Sequence, residues 1–269
     1  MTLDRRTFLK FGLIGLGTVG FGTVGFGTRF ETAVLAAEDD RHRWGYTGST
    51  SPEHWSELTP DYAACARGQR QSPIDLVDAI PARLAPPEIN YRSTPIELIH
   101  TGHTIQLNYA PGSTLTLDGQ TFNLLQFHFH SPSEHQIEGQ PQAMECHFVH
   151  QTDDSEALLV LAVFLQLGQN NDVLEPLWAH LPMTIGETYR DRDTTIDASQ
   201  LLPARLDRLY RYDGSLTTPP CRESVTWLLC ADPLTVSIAQ VDRFTQAIPA
   251  NARPVQARNH RPLLRSRSI

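Results

Sequence analysis

The chain has 269 residues, 19% of them charged, and a formal net charge of -8. An acidic balance of that size argues against a nucleic-acid partner, which needs a basic face. No long linker or low-complexity segment divides the sequence, so most of it fits one domain with a sizeable core.

In chain order, Asp4-Arg5-Arg6-Thr7-Phe8-Leu9-Lys10 comes first, an arginine pair followed by apolar residues and a lysine. It precedes a glycine-rich apolar run from Phe11 to Phe26 and is similar to a twin-arginine export signal. An uncleaved membrane anchor is the competing reading, because the run nearly reaches spanning length. Seven glycines between Gly12 and Gly27 keep it only mildly hydrophobic, and small residues around Ala36 offer a cleavage site. Residues 1–36 are therefore read as a signal peptide and 37–269 as the mature domain, with no stable membrane anchor after cleavage. The expected partner of the signal is the twin-arginine export machinery, and the expected location is the periplasm, or alternatively a thylakoid lumen. Cleavage removes four basic and two acidic residues, which leaves the mature part at about -10.

Strand signals follow at 96–99, 104–109, 114–117, 123–130, 145–150, 158–167 and 225–230, with Gly, Pro, Asn or Asp between them. They predict a mainly β domain. The run 158–165 is apolar on both faces, which suits the centre of a large sheet and leaves a short core helix as the alternative. Segments 170–181 and 237–248 are the helix candidates, each with a polar start and spaced apolar positions.

Two of these strands carry chemistry. Successive side chains of a strand point to opposite faces, so Gln126, His128 and His130 share one face while Phe127 and Phe129 share the other. In the second strand Glu145, His147 and Val149 fall on one side and Met144, Cys146 and Phe148 on the other. Pairing of the two strands brings three histidines together. Three nitrogen ligands leave the fourth tetrahedral position of Zn²⁺ open to water, the mark of a catalytic site; a structural site takes four ligands, usually with cysteine. Gln126 and Glu145 lie where they can accept the second ring N–H of a ligating histidine. A lone strand histidine is more commonly an ordinary core or surface residue, and the weight rests on the His-x-His pair together with the third histidine and its carboxylate.

Four cysteines allow three fully paired connectivities. Cys65 and Cys221 sit in loop-like surroundings and Cys146 and Cys230 in apolar strand patterns, which favours a bridge between the first two and leaves the others as small buried hydrophobes.

The residues from Trp44 to Tyr46, Gly68 to Ile74, Gln126 to His130, Ser133 to His135, Glu145 to His150, Gly214 to Pro220 and Asn251 to Pro254 stand together in an order that resembles the alpha-class carbonic anhydrases of the bacterial type. The resemblance covers nearly all of the mature domain. It implies a large, twisted, mostly antiparallel sheet of about ten strands with short peripheral helices, a Zn²⁺ ion on His128, His130 and His147 at the base of a conical cleft, and a Cys65–Cys221 disulfide. The implied activity is the reversible hydration of carbon dioxide to bicarbonate by attack of zinc-bound hydroxide. It further implies that Thr217 orients the hydroxide and donates its own proton to Glu134. Val149, Val160, Leu216, Thr217, Thr218 and Trp227 would hold carbon dioxide, and His103 would shuttle protons at the rim. The sequence departs from the familiar animal pattern at His100 and Thr101, where asparagines usually stand. A non-catalytic binding module of the same fold is the rival reading, and such modules typically lose a zinc histidine. A zinc hydrolase of esters shares the nucleophile, although the chain lacks the His-Glu-x-x-His helix of peptidases.

Overall fold

Short alternating strands, with few stretches of helical period, fold into one large sheet. The computed structural model describes residues 44–153 and 157–267; the signal-peptide assignment to 1–36 lies outside them. The strands in chain order are β1 (Ile80–Ala82), β2 (Glu88–Asn90), β3 (Thr94–His100), β4 (Ile105–Asn108), β5 (Thr114–Leu117), β6 (Gln120–His130), β7 (Gln136–Ile137), β8 (Gln140–Pro141), β9 (Met144–Gln151), β10 (Leu158–Leu167), β11 (Thr188–Ile196), β12 (Leu209–Gly214), β13 (Val225–Cys230), β14 (Leu234–Val236) and β15 (Leu264–Ser266). Thirteen of them join in the main sheet, whose path runs β1-β15-β12-β13-β10-β9-β6-β4-β3-β11, while β7 and β8 form a separate hairpin. Pairing is antiparallel except where β15 meets β1 and where β10 meets β13 and β14. The strand number exceeds the expected ten because short pieces such as β2 and β14 attach beside the main path.

The centre of the sheet is apolar on both sides, as the run in β10 demands. Leu159, Leu161, Val163 and Leu165 enter the larger core cluster with Phe127, Phe129 and Phe148, whereas Val160, Ala162 and Phe164 enter a second cluster with Val149 and Trp227. Two-sided burial settles the ambiguity in favour of a strand, since each fully buried large apolar side chain contributes about 1.5–3 kcal/mol. The larger cluster is closed by helices. Among the described residues the α-helices are α1 (Trp55–Leu58), α2 (Ala64–Arg67), α3 (Glu175–Trp178) and α4 (Ile238–Ala247). Helix α4 begins at Ser237, whose hydroxyl accepts from Gln240 N while Gln240 reaches back, a reciprocal capping box. Its Phe244 packs on Phe129 and Trp178. The helix expected over 170–181 contracts to the single turn of α3. Asn171 spends its side chain on Val173 N and Thr235 O, which favours a turn over helix continuation at that end.

Cys65 in α2 and Cys221 are bridged, and both pack beside Trp55 in a third cluster. Cys146 on β9 and Cys230 on β13 are free and buried in the larger cluster. Strand β10 lies between them, so their Cα atoms are about two strand spacings, roughly 9–10 Å, apart, too far for a disulfide. Among the described residues no helix is long and apolar enough to cross a membrane.

Candidate metal centre

Strands β6 and β9 deliver all three imidazoles to one point. His128 and His147 are register partners, and His130 stands opposite Glu145. The backs of the strands are anchored by Phe127, Phe129 and Phe148, all fully buried. The ring centroids are 5.1 Å apart for His128 and His130, 5.2 Å for His128 and His147, and 4.7 Å for His130 and His147. One nitrogen from each ring lies within 4.8 Å of those of the other two, within reach of a single ion.

The other nitrogen of each ring is already committed. His128 Nδ1 lies 2.9 Å from Gln126 Oε1, His130 Nδ1 lies 2.8 Å from the carbonyl of Asn251, and His147 Nε2 lies 2.8 Å from Glu145 Oε1. These oxygens only accept, so each of those nitrogens carries the proton, and the lone pairs remain on His128 Nε2, His130 Nε2 and His147 Nδ1. Burial, reinforced by the neighbouring imidazoles, holds His128 well below its ordinary pKa although an edge of the residue still meets solvent. Burial also lowers His130, against the opposing pull of Glu134. Both rings are neutral at physiological pH, the form a metal needs.

Glu145 is the keystone of this arrangement. Fully buried, it accepts from Glu134 N and His135 N through Oε2, at 2.9 and 2.8 Å, and from His135 Nδ1 and His147 Nε2 through Oε1, at 2.7 and 2.8 Å. Burial pushes its carboxyl up, but His135 and His147 outweigh this and hold it well below the usual range. His135, Glu145 and His147 also form a compact group of potential ligands. Their facing atoms are spent on each other, so the first histidine trio is the metal candidate. His135 Nε2 rests 2.7 Å from the Tyr212 hydroxyl, which is 2.8 Å from Ser72 Oγ.

Glu134 accepts from Arg253 N through Oε1 at 3.0 Å. Its Oε2 has no hydrogen-bond partner and lies 3.5 Å from His130 Nε2 and 4.0 Å from His147 Nδ1. His130 Nε2 is likewise buried without a partner. Bare acceptor atoms converging in a buried space repel one another unless a cation sits among them, so this donor set fits a metal ion. No hydrogen bond joins Glu134 to Thr217 among the described residues; Arg253 N engages Oε1, and Oε2 lies toward the imidazoles.

The apolar wall follows from register. Gln126, Val149, Val160 and Trp227 stand side by side across β6, β9, β10 and β13, and the Trp227 ring sits 4.9 Å from that of His147. Leu216 packs against the same cluster, with Thr217 buried and Thr218 half-buried after it. Their segment is pinned where Ser72 and Ser215 exchange backbone-to-hydroxyl bonds of 2.9 and 3.0 Å, where Ser215 O accepts from Trp227 Nε1, and by the disulfide at Cys221. A Cβ at Gly214 would collide with Ser72 Oγ, so only glycine admits this approach. His103, half-buried, stacks on Trp44 with ring centres 3.5 Å apart and planes 9° from parallel. Asn251, Tyr212 and Trp44 therefore support the site, but sequence reasoning gives them no role. The only signal was their presence in or near matched segments.

Fold and site together define a mainly β protein with three imidazoles that could hold a metal ion at the foot of an apolar wall. A family model for eukaryotic-type carbonic anhydrase matches residues 50–267, and the chain belongs to that enzyme family, whose general reaction is the hydration of carbon dioxide. It is 43% identical over 266 residues to a carbonic anhydrase of Nostoc, covering 97% of each chain, and 43% identical to one of Neisseria gonorrhoeae, covering 87% of this chain and 92% of the other. Among solved structures it is similar to the alpha-carbonic anhydrase of Thermovibrio ammonificans in complex with the inhibitor sulfanilamide, at 41% identity and TM-score 0.79, over 83% of this chain and 99% of that one. Dioscorin complexed with ascorbate shares the fold at 29% identity and TM-score 0.78, over 84% of this chain and 99% of that one.

Proposed function

We propose that the mature domain, residues 37–269, is an exported zinc enzyme that interconverts carbon dioxide and bicarbonate, with residues 1–36 directing twin-arginine export to a periplasm. The observation that carries this reading is the set of three imidazole nitrogens whose partner nitrogens are all tied to acceptors. His128, His130 and His147 would hold a Zn²⁺ ion, which would supply a nucleophile from water near neutral pH. Gln126, Asn251 and Glu145 orient the three rings and fix their tautomers. Val149, Val160, Leu216 and Trp227 offer a surface free of competing hydrogen bonds for a small apolar substrate, and Thr217 and Thr218 flank it at the end of the wall. The Thr217 hydroxyl would orient the nucleophile.

Each hydration leaves a proton in the cleft. An acid of pKa about 7 loses it straight to water at only about 10³ s⁻¹, even with diffusion-limited recombination. A faster cycle needs a proton relay, a role an imidazole side chain can fill, and His103 is the residue placed for it. The non-catalytic reading is disfavoured because the whole ligand set and its orienting partners are retained. His147→Ala tests the assignment: zinc and hydration activity should be lost together, and full activity at stoichiometric zinc would overturn it.

A further inference from the structure

His100 ends β3, is 4% exposed, and has both ring nitrogens engaged. Its Nε2 donates to the carbonyl of Ala247 at 3.1 Å, and its Nδ1 accepts from Gly102 N–H at 3.1 Å. A carbonyl can only accept and an amide N–H only donate, so the tautomer is fixed and no nitrogen of this ring is left to carry a proton from the cleft. Thr101 behaves in the same way: its hydroxyl accepts from His103 N and Thr104 N and donates to Thr104 O. The two residues that stand in place of the familiar asparagines thus face backbone groups, Thr101 those of the loop itself and His100 those of Gly102 and Ala247. Gly102 takes the left-handed conformation, φ 91°, that lets its amide turn back onto His100.

The loop is docked a second time beyond the histidine. Asn251 Nδ2 donates to the carbonyl of His103 at 2.9 Å and to that of Phe129 at 3.0 Å. Ala247 and Asn251 bound one short segment at the end of α4, and the Asn251 carbonyl is the acceptor that orients His130. One piece of chain therefore holds both the His103 loop and a metal ligand.

We propose that His100 is a positioning residue for proton transfer: it clamps the His103 loop to the 247–251 segment and so fixes the reach of His103 to the metal centre. The proposal rests on His103 being the relay. Transfer through a few waters is steep in distance, and a misplacement of about 1 Å in a reacting array can cost up to roughly a hundredfold.

His100→Phe keeps a ring in the buried space and removes both hydrogen bonds. The zinc-loaded variant should keep its zinc, hold kcat/KM within about twofold, and lose about tenfold in kcat in dilute buffer, with recovery on adding imidazole. Independently of activity, amide hydrogen exchange at Gly102, which loses its acceptor, should speed up by about tenfold or more, and that at His103 should rise with it as the loop loosens. His103→Ala is measured alongside. If His103→Ala keeps full kcat in dilute buffer, the relay reading itself fails. If His103→Ala loses kcat while His100→Phe keeps both kcat and slow exchange, the relay stands and the positioning role of His100 is overturned. In the His103→Ala background, His100→Phe should add no further loss; an additive loss would show that His100 carries protons itself and would also overturn the proposal. Should His100→Phe not fold, His100→Leu removes the same two hydrogen bonds with a smaller apolar side chain, and unchanged kcat and exchange in that variant would overturn the proposal equally.

Discussion

Replacing Glu145 by Gln isolates the charge and acceptor capacity of the residue on which the metal centre is built. The carboxylate accepts four hydrogen bonds, two per oxygen, from Glu134 N, His135 N, His135 Nδ1 and His147 Nε2. An amide of the same shape can accept on one side only, so its NH₂ group faces two donors that are left unmet. Each unmet buried donor costs about 1–3 kcal/mol, or about 2–6 kcal/mol for the pair. Burial opposes the native carboxylate, so removing the charge offsets part of that loss, and about 2–4 kcal/mol of net destabilisation is expected. Urea unfolding of the metal-free wild type and variant measures this term without interference from zinc. His147 also loses the partner that holds its proton on Nε2, so zinc affinity, measured by chelator competition, should fall about 10–100-fold. A metal-free variant within about 0.5 kcal/mol of wild type, with unchanged zinc affinity, would refute the reasoning.

Thr217→Ala should leave zinc bound and slow hydration by about a hundredfold, the scale of one positioned hydrogen bond at a reacting centre; loss of metal would show a structural role instead. His150 is buried between Tyr91 Oη and the carbonyl of Leu159, and burial pushes its pKa down to about 4 against weaker raising effects of the Leu159 and Phe148 backbone. Its unfolded form binds the proton more readily, so the neutral ring's contribution is fully present above pH about 6.5 and is lost as pH falls toward 4, a change of about 3 kcal/mol. In metal-free protein the stability gap between wild type and His150→Gln should shrink by about that amount over this range, and a constant gap would contradict the assignment. The Cys65–Cys221 bridge spans 156 residues, so replacing both cysteines by serine should cost about 2–5 kcal/mol; unchanged thermal stability would count against it.

What could be read from the sequence depended on the range of the interaction. The alternation in β6 and β9 marks which residues share the face of the histidine trio because a strand's period fixes its faces locally, and the two-sided apolar run of β10 marks the sheet centre. Strand β11 carries no strand signal in the sequence because it is an edge strand whose Arg190, Asp191, Arg192 and Asp193 interrupt the apolar pattern. The supporting shell was hidden for a different reason. Asn251 reaches His130 across 121 positions, Tyr212 reaches His135 across 77, and Arg253 reaches Glu134 across 119, so no local pattern announces them. His100 shows the same limit: only the folded chain reveals that Ala247, 147 positions away, takes up its second nitrogen.

The most direct test of the account is to purify residues 37–269 and measure zinc per chain together with carbon dioxide hydration by stopped flow. One zinc per chain and a hydration rate that disappears on chelation and returns with added zinc is the predicted result. One zinc per chain with no hydration would contradict it and point instead to a binding module built on the same fold.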